Sequence, residues 1–67
     1  MDILLSGSFD DDERDAWLAE LQAALPDARW HLTATPENAG LITAAVVANP
    51  PPGSLQGLPN LRLLQSL

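Results

Sequence analysis

Between Thr43 and Ala48 the chain runs through small and β-branched residues with no polar interruption. Such a run is too short for a stable helix, and it lacks the polar alternation of a strand wetted on one side. It predicts a central strand buried on both faces. Met1–Gly7 is a second short apolar run, ended by glycine, and it predicts a first buried strand. No hairpin turn joins any two such runs, so the connections are expected to be crossovers and the sheet parallel.

The segments between these strands fit that scheme. Ser8–Glu13 supplies capping side chains and first-turn acids, which the helix dipole favours. Trp17, Leu18, Leu21, Ala24 and Leu25 then recur at three- and four-residue spacing. Pro26 forces the preceding residue out of the helical region, giving an expected helix over 12–25. Ala28–Thr33 alternates, with Trp30 and Leu32 on an inner face and Arg29, His31 and Thr33 on a wet one, as in an edge strand. Pro36–Gly40 has room for one helical turn, Asn49–Gly53 is a proline-rich loop, Ser54–Leu58 is at most a short turn, and Leu61–Leu67 predicts a fourth strand.

The order is therefore β-α-β-turn-β-turn-β, an α/β parallel sheet. A parallel sheet needs cover on both faces, yet one full helix is visible, so one face of strands one, three and four is expected to lack a layer. The last residues lie inside an apolar strand, as if the fold were cut part-way.

Composition narrows the functions. Nine acidic residues against three arginines and no lysine give a net charge of −6, which leaves no basic patch for nucleic acid. No apolar run approaches the ~20 residues of a membrane span. With no cysteine, disulfides, thiolate nucleophiles and cysteine-held metals are excluded. No secretion signal is evident, and the expected location is the cytoplasm.

Chemistry-bearing groups are sparse. Asp10–Glu13 could hold a hard cation, but adjacent residues at a helix start diverge, and capping is the simpler role. His31 is the only histidine, with no neighbouring histidine or carboxylate in sequence to orient it. Ser6, Ser8, Ser54 and Ser66 lack a nucleophile-elbow setting, and no glycine-rich phosphate loop occurs. Trp17 and Trp30 fit core positions. No catalytic residue or metal ligand is assigned. One segment has functional geometry: Ala48, Asn49 and Pro50 leave a central strand at its carboxyl end, where open parallel sheets bind ligands, and Asn49 is the polar group there able to donate to a substrate oxygen.

Met1–Asp2–Ile3, Phe9–Asp10, Trp17–Leu18 through Leu25–Pro26, Asp27–Ala28–Arg29, Val47 to Pro51 and Asn60–Leu61 to Ser66–Leu67 stand in an order and spacing that resemble the start of the NAD(P)-dependent D-2-hydroxyacid dehydrogenases. The likeness is to the glyoxylate/hydroxypyruvate reductase A type. It covers the whole chain, and its weight comes from a proline pair after the third strand followed by a leucine-rich fourth. The resemblance implies a partial flavodoxin-like sheet over residues 1–67, the amino-terminal part of a substrate domain. Its parent would reduce a small 2-oxo acid to the 2-hydroxy acid with NADPH or NADH. It also implies that the nucleotide-binding domain, the Gly-Ala-Gly-Val-Asp-type turn holding the substrate carboxylate, and the catalytic arginine, glutamate and histidine all lie beyond Leu67. These residues alone would then bind no cofactor, and Ala48, Asn49 and Pro50 would line the substrate pocket without doing chemistry. Close relatives carry an aromatic residue and a histidine where this chain has Ala48 and Asn49. The expected partners are the rest of the parent chain or further copies, not nucleic acid or membrane. Two other classes compete: a receiver-like signalling module whose phosphoacceptor aspartate is replaced by Asn49, and a small interaction module that oligomerises through its uncovered face.

Overall fold

The computed structural model describes residues 1–67. It contains β1 (Asp2–Gly7), α1 (Asp11–Ala24), β2 (Arg29–His31), β3 (Ile42–Ala48) and β4 (Leu63–Ser66). Every pairing is parallel, and the strand order is β2-β1-β3-β4. The protein is a small α/β domain with a four-stranded parallel sheet and one helix, consistent with a partial flavodoxin-like fold. The edge position of β2 and the central position of β3 agree with the sequence reading.

Local chemistry sets the boundaries of α1. The Asp10 carboxylate accepts from the Glu13 amide at 2.8 Å, and the Glu13 carboxylate accepts from the Asp10 amide at 3.3 Å. This reciprocal cap satisfies two amides that the helix cannot bond internally, and it starts the helix one residue earlier than expected. Ahead of Pro26 the helix stops at Ala24, with the Leu25 amide still reaching the Leu21 carbonyl at 2.9 Å. The stripe facing the sheet is Arg14, Leu18 and Leu21, all half-buried. Trp17, expected in the core, lies beside that stripe and is 42% exposed.

Alternation along β1 divides the core. Leu4 points to one face, where it clusters with Ile42, Ala45 and Val47. The register slips by one residue at Asp2/Ile3, which turns Ile42 to the same side as Ala45 and Val47. Ile3 and Leu5 point the other way and are also buried, together with Ala44. Since the loops pack on the Leu4 side, α1 is the element left to cover these three.

Here the structure corrects the layer count. The face opposite α1 is covered, by chain without regular structure: Ala34, Leu55, Leu58 and Leu61 pack onto the Leu4 cluster. The two long connections, which read as bare turns, serve as the missing layer because each carries apolar residues that reach the sheet. The deficit is confined to β4, where every residue is exposed, Leu63 at 59% and Leu64 at 54%. No helix is long and apolar enough to cross a membrane.

Candidate functional site

The carboxyl ends of β1 and β3 are tied together by two hydrogen bonds from Ser8. The Ser8 amide donates to the Ala48 carbonyl at 3.0 Å, and the Ser8 hydroxyl donates to the Asn49 carbonyl at 2.8 Å. Gly7 permits this closeness: a Cβ there would stand 2.5 Å from the Ala48 oxygen and 2.6 Å from the Phe9 ring. Asn49 sits at φ +48°, in the left-handed region that asparagine tolerates and β-branched residues do not. Asn49→Gly should therefore leave the melting temperature nearly unchanged, while Asn49→Val should cost about 1–2 kcal/mol. Thermal denaturation of the two variants checks this, and equal melting would show that the left-handed turn carries no strain.

Above this junction lies a cleft of about 500 Å³. The sheet contributes Ser6 and Gly7, the β2 exit contributes Thr33, the loop after β3 contributes Ser54 and Gln56, and α1 contributes Arg14. The position follows from topology: the chain leaves β1 toward β2 on one side, and β3 pairs on the other, so the connections diverge and leave a crevice. Arg14 is the one cation of the cleft, and its guanidinium also contacts Asp11 at 3.3 Å and Asp15 at 3.2 Å. The Ser54 hydroxyl is buried in the wall with no hydrogen-bond partner, and the accessible hydroxyls of the cleft are those of Ser6 and Thr33. The cleft thus offers a hydroxyl, a primary amide, a shared guanidinium and a close backbone approach, which suits a small polar molecule. It brings no nucleophile together with a base.

The three residues expected at the site are found just before this loop wall. Ala48 is half-buried at the end of β3, and Asn49 is exposed, its carbonyl engaged by Ser8. Pro50 is half-buried beside a shallow groove of about 390 Å³ along Pro50–Gln56. The next residues of the same loop, Ser54 and Gln56, form the cleft itself. The acidic run is spent on capping and on Arg14.

His31 is placed differently from its expected wet face. Its side chain is 16% exposed, with Nε2 at 2.8 Å from the Asp2 carboxylate and Nδ1 at 3.3 Å from the Asn38 amide nitrogen. The hydrogen bond from His31 is the largest influence holding the Asp2 carboxyl below its ordinary 3.8, with the Arg29 guanidinium adding to it. Both ring nitrogens are engaged, so His31 has no free nitrogen to serve as a base for a ligand.

Compared with known protein families and with curated proteins, the chain matches none. Sequence reasoning missed Ser6, Gly7, Arg14, Thr33, Ser54 and Gln56. A glycine closing the first strand, and an arginine beside an acidic helix start, were the two usable signals.

Proposed function

We propose that this chain is the amino-terminal part of the substrate domain of a 2-hydroxyacid dehydrogenase, whose parent reduces a small 2-oxo acid of the glyoxylate or hydroxypyruvate class. The observation that carries the reading is the cleft at the carboxyl ends of β1 and β3, on the switch point of a β2-β1-β3-β4 parallel sheet. That is where a substrate domain of the resembled family would take its ligand. Pro51, Gly53, Ser54 and Gln56, directly after Ala48, Asn49 and Pro50, form one wall, and the Gln56 amide and Arg14 are its groups for a carboxylate or carbonyl oxygen.

The nicotinamide cofactor does not fit these residues. A dinucleotide pyrophosphate needs free amides and positive potential at a helix amino terminus. At α1 the Glu13 amide is taken by Asp10, and Asp11, Asp12 and Glu13 fill the first turn with negative charge. Cofactor and hydride transfer therefore belong, in this reading, to the remainder of the parent. That remainder, or a second copy, would cover β4 and its exposed Leu63 and Leu64.

The test is the coding sequence downstream of Leu67, with an assay of glyoxylate-dependent NADPH and NADH oxidation by the 67 residues and by the extended product. The reading expects a Gly-Ala-Gly-Val-Asp-like turn followed by a nucleotide-binding domain, activity in the extended product and none in the 67 residues. A stop codon after Leu67, or a continuation without those features, overturns it.

A further inference from the structure

The contacts around His31 form a chain in which the backbone dictates each proton. The Asn38 side-chain oxygen accepts from the Thr35 amide at 2.7 Å, and its nitrogen donates to the Thr33 carbonyl at 2.9 Å. A backbone N–H can only donate and a carbonyl can only accept, so the Asn38 amide cannot be turned over without creating two mismatched pairs. The same Asn38 nitrogen lies 3.3 Å from His31 Nδ1, which must then be the acceptor. The ring proton is left on Nε2, where it donates to Asp2 at 2.8 Å.

We infer that His31 is a partner-exchanging latch: in its neutral form it holds the 33–41 segment through Asn38, and on taking up a proton it loosens that segment, which Ala34 and the Asn60 bond to the Gly40 carbonyl still tie to the fold, while keeping its hold on β1 through Asp2. A proton on Nδ1 would face the Asn38 donor, and two donors cannot pair. The same proton makes the imidazole cationic and strengthens its bond to the Asp2 carboxylate. Protonation thus removes one contact and reinforces the other.

The surroundings give no competing charge on the Asn38 side. On the strand side His31 meets Asp2 of β1, whose carboxylate also has the Arg29 guanidinium at 3.9 Å and feels the Met1 amino group. The turn contributes neutral Thr35 and Asn38, while its one charged residue, Glu37, is exposed and in no ion pair. Ile42 of β3 and the loop 50–61, which cover the same face, carry no ionisable side chain. The His31 hydrogen bond holds the Asp2 carboxyl below its ordinary value, which favours its charged form.

The loosened segment leads to two places. Asn38 accepts from the Leu41 and Ile42 amides at the entrance to β3, and Thr33 and Ala34 line the cleft. The latch therefore couples the rim of the cleft to pH, whatever the cleft binds.

Nitrogen-15 NMR on the 67-residue protein tests this. At neutral pH the His31 ring should show a protonated Nε2 and a bare Nδ1. On acidification the Asn38 side-chain amide should shift with the same midpoint as the His31 ring. Exchange of the Thr35 amide should quicken up to roughly tenfold, because the Asn38 side chain that accepts its bond has lost its anchor on His31, while amides of the β1–β2 ladder stay protected. In His31→Gln, which keeps a donor for Asp2 but cannot titrate, the Asn38 signals should be flat with pH. A proton on Nδ1 at neutral pH overturns the latch. So does an Asn38 amide indifferent to the His31 titration, a His31 that stays neutral until the sheet unfolds, or simultaneous loss of the turn and the ladder.

Discussion

Replacing Ile42 by alanine should abolish cooperative thermal unfolding or lower its midpoint by more than ~10 °C. Ile42 is fully buried, and it joins Leu4, Ala45 and Val47 to the loop residues above them. Removing three carbons from such a site costs about 2–5 kcal/mol, because the surroundings collapse only partly. Against a chain of 67 residues, whose total stability at ~0.05–0.15 kcal/mol per residue is about 3–10 kcal/mol, that is a decisive fraction. Only seven residues are buried, and the three outside this cluster, Ile3, Leu5 and Ala44, lie on the opposite face and cannot fill the gap. Ile42→Val should cost ~0.5–1.5 kcal/mol and keep a cooperative melt. Circular dichroism melts of both variants check this, and an alanine variant melting like the parent would mean that the Leu4 cluster does not support the fold.

The second large effect is expected at Gly7. Substituting alanine puts a methyl 2.5 Å from the Ala48 carbonyl oxygen, and that oxygen is held in place by the Ser8 amide. Relief requires the carboxyl ends of β1 and β3 to part, which opens the floor of the cleft. Forcing a group into a packed site typically costs about 1–3 kcal/mol, or roughly 4–24 °C in a domain of this size at ~4–8 °C per kcal/mol. Gly40→Ala is the matched control, since nothing lies within 4 Å of the position its methyl would take. If the two variants melt together, the close approach at Gly7 is not a constraint on the fold.

Much of the architecture was legible because it is written locally. The apolar runs of β1 and β3, the capping acids before α1, Pro26 at its end and the prolines after Asn49 each act within a few residues. What escaped depends on pairs far apart in sequence. His31 reads as a solvated strand residue, since its carboxylate partner Asp2 lies 29 positions earlier and arrives only through the parallel pairing of β1 with β2. The covering layer escaped because Leu55, Leu58 and Leu61 sit among prolines and glycines, in a stretch whose backbone forms no regular element. Trp17 reads as inward-facing because an aromatic at helical spacing suggests a core. The helix instead turns its Arg14–Leu18–Leu21 side to the sheet, and that rotation is fixed by packing.

The strand order also sets a timetable. β1 is made first yet lies between β2 and β3, and its carboxyl half pairs only with β3, as in Leu5 with Val46 and Ser6 with Val47. During synthesis the apolar Ile3–Leu5 run must wait while about 40 further residues are added, roughly 2–8 s at ~5–20 residues per second. Through that interval a central strand of the finished protein has no neighbour on its β3 side, and the chain is then most open to capture by a chaperone or by another nascent copy.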